Sequence, residues 1–326
     1  AFQVLVGNDI KVNQTYRGPL LKTIEQIAES FKPWNPGTEL TVGLFSSVVP
    51  EFDERAFREA LVNAFGHRDY SLLGRVRVLV DDAGLTIANP GGFVEGINVH
   101  NLLTAEPRGR NPCLMDALKR TGLAERTGRG IDRIFEGALN YGRPLPDYSR
   151  SNRRGVSVLL PRSVPDKAFV ELLAEERERS GKSMSLDGLL ILDKLKSERR
   201  CGFDVLSGSL DMSDQRLRTV LGQLTEAGLV ESAGVGARRT YMLGAKVYRR
   251  SGRAMEYVRQ SDIDRVRYPE LIIELMHEQK SVSKNDVMEL LHLEENQAYY
   301  QLRKLVLEGR AKKVGSGRNV RYAAVR

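Results

Sequence analysis

The sequence predicts an α+β protein: a two-layer α/β sandwich over residues 1–165, then two copies of a small helical unit that ends in a β-hairpin. Three observations carry this. Strand-like and helix-like periodicities alternate through residue 160. The C-terminal part matches itself without a gap when slid by 81 residues. Glycines recur in both copies where a helix must end and a hairpin must turn.

Composition sets the outer bounds. A chain of 326 residues is long enough for two or three domains with proper cores. Its 41% hydrophobic and 28% charged residues are those of a globular protein. No apolar run approaches the about 18 residues that cross a membrane, and no secretory pattern is visible, so neither a membrane span nor secretion is expected. Cys113 and Cys201 lie far apart without C-x-x-C spacing, and His67, His100, His277 and His292 show no ligand spacing. The expected compartment is a reducing cytoplasm. The start at Ala1 rather than Met reads as a fragment or as a chain with a disordered start. The net charge of +8 is uneven: residues 185–326 hold 25 basic and 19 acidic side chains, against 25 and 23 in residues 1–184. That excess favours a polyanion, nucleic acid first.

The elements follow in chain order. Phe57, Ala60, Leu61, Ala64 and Phe65 recur at helical spacing and form a core stripe. Glu59 and Asn63 fall one turn apart on the other side, where a polar pair is ordinarily a solvated face, and His67-Arg68-Asp69 follows. "RVRVLVDD" (75–82) alternates with Val76, Val78 and Val80 on one side, and pairs with "GLTIANPGG" (84–92) across an Ala83-Gly84 turn. "NPCLMDALKR" (111–120) reads as a helix with Asn111 at the N-cap and Pro112 at N1. "GRGIDRIFEGAL" (128–139) is helical, with Ile131, Ile134, Phe135 and Ala138 on one face, and "GVSVLLP" (155–161) is a further strand. A charged helical connector occupies residues 166–184.

The repeat is the sharpest signal. At an offset of 81, Leu210 meets Leu291, Leu221 meets Leu302, Leu224 meets Leu305 and Gly228 meets Gly309. Gly234, Gly236 and Tyr241 meet Gly315, Gly317 and Tyr322, and upstream Leu190-Ile191 meets Leu271-Ile272. Each copy reads as helix, short helix, longer helix and hairpin: about 185–197, 203–209, 213–227 and 229–243, then about 269–279, 283–291, 294–308 and 310–324. The domains expected are thus 185–248 and 269–326, joined by a linker at 249–268. This order resembles the winged helix-turn-helix module, whose third helix enters the major groove while the wing touches phosphate or the minor groove. Under that resemblance Ser213, Gln215, Arg216, Arg218 and Thr219 start the first reading helix, and Arg238-Arg239 end its wing. The second copy offers Asn296, Gln297, Tyr299, Tyr300 and Arg303 on the helix, with Lys312, Lys313, Arg318 and Arg321 about the wing. Such modules also serve as protein contacts, and Tyr299-Tyr300 suits that alternative.

The first part carries a second resemblance. E-x-x-x-N at Glu59 and Asn63, a strand ending in Asn89-Pro90-Gly91-Gly92, and Thr127-Gly128-Arg129-Gly130-Ile131 opening a helix together resemble the GHKL ATP-binding fold of gyrase B, the ninety-kilodalton chaperones and histidine kinases. "REALVNAFGHRDYS", "IANPGGF", "RNP" and "ERTGRGIDRI" are closest to the RecG-like C-terminal, GHKL-type domain of bacterial transcriptional regulators. The likeness covers about residues 1–160, and in that family an AlbA-like, Schlafen-type DNA-binding module is often found upstream. It implies ATP and Mg as cofactors, Asn63 on the metal, Glu59 as general base, and Gly128 and Gly130 presenting backbone N–H groups to phosphate. A plain turn with close helix packing is the alternative for those two glycines. The family's adenine-reading Asp is Asn89 here, an acceptor without charge. His67-Arg68-Asp69 marks the branch and reads as a structural network in which Asp69 pairs with Arg68 or caps a turn.

No G-x-x-x-x-G-K-[ST] occurs, and "SGKS" (180–183) lacks the first glycine, so a P-loop helicase motor is not expected. The reading is a DNA-binding transcriptional regulator with a nucleotide-binding domain, a weak ATPase at most. Double-stranded DNA and a second copy of the chain, as a homodimer, are the expected partners. Its rivals are a DNA-dependent ATPase and a protein-interaction scaffold with an inactive pocket.

Overall fold

The computed structural model describes the chain except residues 43–44, 126–127, 199, 235, 237–238, 251–267, 292, 316–319 and 326. The chain divides into two compact units, Ala1–Asp193 with Ser207–Leu217, and Lys194–Leu206 with Arg218–Arg326.

Strands β1 (Phe2–Val6), β2 (Asp9–Gln14), β5 (Arg77–Asp81), β6 (Gly84–Pro90) and β7 (Gly155–Pro161) form one sheet in the order β2-β1-β5-β6-β7. β1 and β5 are parallel and the other pairs antiparallel. Period two sets its buried face: Val78 and Val80 of β5 and Leu85 and Ile87 of β6 are all at most 2% exposed. Asn89 falls on that same face of β6 and is buried with them, a polar group at a core position. The β5–β6 turn is Asp82-Ala83, one residue earlier than expected. Asp81 pairs with Gly84, and its Oδ1 accepts from the N–H of Ala83 and Gly84 at 2.9 and 3.1 Å.

The covering layer holds α1 (Leu20–Phe31), α2 (Glu54–Gly66), α3 (Pro112–Arg120) and α4 (Gly130–Leu139). A separate hairpin, β3 (Gly37–Val42) with β4 (Phe45–Pro50), leads into α2. Asp53 caps α2, its Oδ1 accepting from Arg55 and Ala56 N–H at 2.9 Å each. Phe57 of the expected stripe stacks on Phe31 of α1, ring centroids 4.1 Å apart. α3 starts at Pro112 as expected, but Asn111 does not cap it. Its Nδ2 donates to the carbonyls of Gly66 and Arg68 at 2.9 and 2.8 Å, tying the start of α3 to the end of α2. The connector helix α5 (Lys167–Ser180) is capped by Asp166 and ended by Gly181 in the left-handed region at φ +70°.

Helices α6 (Leu186–Glu198), α7 (Phe203–Leu210) and α8 (Asp214–Glu226) follow. With them comes a sheet of β8 (Arg200–Gly202), β10 (Thr240–Leu243) and β9 (Val230–Ala233), and α9 (Ala245–Arg250) comes after it. The order returns as α10 (Tyr268–Gln279), α11 (Lys284–Leu291), α12 (Glu295–Leu307) and the hairpin β11 (Ala311–Val314) with β12 (Arg321–Ala324). The offset of 81 persists in the pairing itself: Cys201 lies opposite Tyr241, and Val282 opposite Tyr322. In the second copy Val282 and Tyr322 exchange two N–H···O bonds of 2.7 Å, which replace a full strand like β8. Ile272, Val287, Ala298 and Leu302 are fully buried between its helices. Among the described residues, no helix is long and apolar enough to cross a membrane.

Candidate functional site

Glu59 is not on a solvated face: it is 2% exposed. The reason is α4, which lies along the second side of α2. A Cβ on Gly130 would stand 2.9 Å from Glu59 Oε2 and 3.7 Å from Asn63 Nδ2. A Cβ on Gly137 would stand 2.6 Å from the Ala56 Cβ. Two glycines seven residues apart on α4 thus allow it to close on α2, leaving its first turn over Glu59 and Asn63. Burial pushes the Glu59 carboxyl above the usual carboxylate range, against the pull of Arg133, Arg58 and the backbone N–H of Glu125. Arg133 Nη1 stays 3.9 Å from Glu59 Oε1, because the guanidinium pairs closely with Glu125.

The pair opens into a cavity of about 500 Å³. Its walls include Glu59 and Asn63 of α2, His67 just after that helix, Ile87 and Asn89 of β6, and Gly128, Gly130 and Ile131 at the start of α4. Phe93 and Tyr148, whose ring centroids are 6.3 Å apart, add an aromatic side, and residues 102–109 contribute much of another wall. The volume is that of a small-molecule site. The first N–H groups of the helix have no partner within it and Arg129 makes no side-chain cap, a disposition that suits an anion.

Asn89, Gly92, Gly128 and Gly130 line this cavity together with Glu59 and Asn63, whereas Gly91 does not. Asn89 Nδ2 donates to the carbonyl of Pro90 at 3.1 Å and to that of Gly91 at 3.5 Å. Carbonyls only accept, so the amide orientation is determined and Oδ1 is left as the acceptor. Gly91, at φ +93°, instead lets the strand end approach Asp69, where a Cβ would stand 2.6 Å from the Asp69 Cβ.

The His67-Arg68-Asp69 segment braces this corner. Asp69 caps a turn by accepting from Ser71 N–H and Oγ at 3.0 and 2.6 Å, which hold its carboxyl below the usual range. Its ionic partner is Arg110 at 3.4 Å, not Arg68, and Arg110 also donates to the Gly92 carbonyl at 2.7 Å. Arg68 donates to the carbonyls of Leu72 and Gly74. His67 lies one turn beyond Asn63 and lines the cavity. Burial, then the charge of Arg110, lower its imidazole below the ordinary value. His67, Arg133 and Glu125 were not singled out for the site from sequence. The i, i+4, i+8 spacing of Glu59, Asn63 and His67 was the signal for the first.

In the helical units Ser213, Gln215, Arg216, Arg218 and Thr219 are exposed at the start of α8. Arg216 is already engaged, its Nη2 donating to Asp187 Oδ1 at 2.7 Å beside a close Nε contact to Oδ2. Arg218 lies 4.3 Å over the Phe203 ring. Asn296, Gln297 and Arg303 are exposed on α12, with Gln297 Oε1 accepting from the Glu294 N–H at 3.2 Å. Lys312 and Lys313 are exposed on β11, and Arg239 is exposed after the first hairpin tip. Arg321 is tied down, donating to Ser281 O at 2.7 Å and Oγ at 2.9 Å and pairing with Asp286 at 3.3 Å. Arg238 and Arg318 lie outside the described residues.

Residues 74–160 match the family described as "Putative ATP-dependent DNA helicase recG C-terminal", so an ATPase-like domain family is detected. The match begins after α2 and contains Asn89, Gly128 and Gly130 but not Glu59 or Asn63. The crystal structure of the DIP2311 protein from Corynebacterium diphtheriae is similar at a TM-score of 0.60 and 22% identity, covering 100% of this chain and 59% of that one. At that identity the likeness concerns fold, and the chain spans about three-fifths of that protein's length. No curated protein matches.

Proposed function

We propose that the chain is a DNA-binding transcriptional regulator whose first unit binds ATP with magnesium in a GHKL-like site, and whose repeated helical units are winged helices. One observation carries the nucleotide reading: Glu59, Asn63, Asn89 and Gly130, drawn from three elements, converge on one cavity of about 500 Å³. The residues suit the group. The Asn63 carboxamide oxygen is a hard ligand for magnesium, which would supply charge to polarise a phosphate. Among the described residues no cluster of three His, Cys, Asp or Glu could hold an ion, so a cation here would rest on Asn63 and the oxygens of its anion. The first turn of α4 supplies N–H groups for phosphate. Asn89 Oδ1 accepts from an exocyclic amino group. Glu59, buried and raised toward neutrality, takes a proton from water in a weak ATPase.

The DNA reading is supported by exposed Ser213, Gln215 and Arg218 on α8 and by Lys312 and Lys313 on the second hairpin. It extends to a homodimer, since two copies would present paired reading helices to one duplex. Selection of bound sequences from a random duplex pool, with and without ATP, tests it: enrichment of one motif is expected, and recovery of no enriched sequence overturns it. One observation favours a second reading for the last unit. Tyr299, Tyr300 and Leu307 of α12 are 49%, 64% and 77% exposed, an apolar face suited to another protein.

A further inference from the structure

Leu102, Leu103 and Ala105 wall the cavity, while Thr104 between them is exposed and does not line it. Thr104 Oγ1 instead donates to Asp211 Oδ2 at 2.6 Å, across 107 residues of sequence. Asp211 sits in the turn between α7 and α8, two residues before Ser213. Ser207–Leu217 belongs to the same compact unit as the cavity. Asp211 holds φ at 48°, in the left-handed region that Asp adopts more readily than most non-glycine residues.

Hydrogen bonds brace the segments on both sides. Asn101 Oδ1 accepts from Asn98 N–H at 2.8 Å, and its Nδ2 donates to the Gly96 carbonyl at 2.9 Å. The Asn101 carbonyl accepts from Thr104 and Ala105 N–H at 3.1 and 2.8 Å, which joins Thr104 to the same turn as the wall residues. On the other side, the Arg216 fork on Asp187 ties the first turn of α8 to the start of α6.

We propose that the Thr104–Asp211 contact couples filling of the cavity to the setting of Ser213 and the first turn of α8, so that a nucleotide against Leu102, Leu103 and Ala105 changes the affinity for DNA. This rests on reading the cavity as a nucleotide site and α8 as a DNA reader. Linkage requires the converse as well: DNA changes nucleotide affinity by the same factor.

The test measures affinity for a labelled DNA duplex with and without the magnesium complex of the imido analogue of ATP. The parent ratio is expected at about fivefold, the lower end of ordinary allosteric coupling. Thr104→Val removes the donor, and Asp211→Gly removes the acceptor while suiting the left-handed backbone. In both, the ratio falls to one while nucleotide affinity without DNA stays at the parent value. Thr104→Ser and Asp211→Asn keep the bond and keep the ratio. A parent ratio that survives in Thr104→Val and Asp211→Gly overturns the coupling. Amide exchange without any ligand gives a second readout: Ser207–Leu217 exchanges faster in Thr104→Val than in the parent, and equal rates overturn the proposal. If the parent binds nucleotide or DNA not at all, the proposed function itself has failed, and that is seen before any variant is made.

Discussion

Gly130 and Glu59 are in contact so close that a single methyl group on the first would stand 2.9 Å from Oε2 of the second. The relationship places the N-terminus of α4 over a carboxylate that is 2% exposed, and it makes the helix pair and the cavity one construction. Gly130→Ala should therefore drive Glu59 aside and lower nucleotide affinity about tenfold, at little cost in stability, because the atom it meets is the far end of a flexible side chain. Titration calorimetry and urea unfolding on one sample check both. Gly137→Ala, whose Cβ meets the Ala56 Cβ at 2.6 Å and the Asp53 Cβ at 2.9 Å, should cost more stability, about 1–3 kcal/mol for overpacking, with a smaller effect on binding.

Asn63→Ala should weaken magnesium-dependent nucleotide binding, since it removes the one carboxamide suited to the metal. Glu59→Gln keeps the volume beside Gly130 and should leave binding near the parent value while abolishing phosphate release. Equal loss of binding in both variants would assign Glu59 to affinity rather than to chemistry.

How far this site could be read in advance depended on contact range. The stripe of Phe57, Ala60, Leu61, Ala64 and Phe65 states its own burial through helical spacing, and all of it is buried but Phe65, which is half-buried. Glu59 looked solvated because the residue that covers it is 71 positions away, and glycine leaves no hydrophobic trace in a periodicity. The same range explains Asn111, which a local rule makes an N-cap and the fold makes a clamp on Gly66 and Arg68. The Asp69–Arg110 pairing was hidden for the same reason, with Arg68 the nearer partner in sequence. The repeat, by contrast, was legible at full length, because its evidence is self-similarity, and the Cys201–Tyr241 and Val282–Tyr322 pairings keep that offset.

His67 predicts a pH dependence. Its imidazole is buried and lies near Arg110, so it takes a proton less readily folded than unfolded. Above about pH 6.5 both states are neutral and the full stability is present. As the pH falls below that value the unfolded chain binds the proton first, and stability drops by at most about 1.4 kcal/mol per unit until the folded value is reached. Urea unfolding between neutral and mildly acidic pH should show this slope in the parent and its loss in His67→Gln. Parallel profiles would show that His67 titrates alike in both states.

The basic residues of the second hairpin should separate by role. Lys312 and Lys313 are exposed, and replacing both by Ala should weaken binding on every duplex alike and flatten the log-log salt slope by about 1.8, near 0.9 per phosphate contact. Arg321→Ala should act instead on stability, by up to about 1 kcal/mol at so exposed a site, through its lost bonds to Ser281 and Asp286. Gln215→Ala should alter sequence preference rather than the slope. Competition binding at several salt concentrations distinguishes the three.

The central claim is that the cavity between α2, α4 and β6 is a nucleotide site. Isothermal titration of the parent chain with ATP, in the presence and absence of magnesium, tests it most directly. One site per chain is expected, tighter with magnesium, with that magnesium dependence abolished in Asn63→Ala. No heat of binding in the parent, or an affinity unchanged by Asn63→Ala, would contradict it.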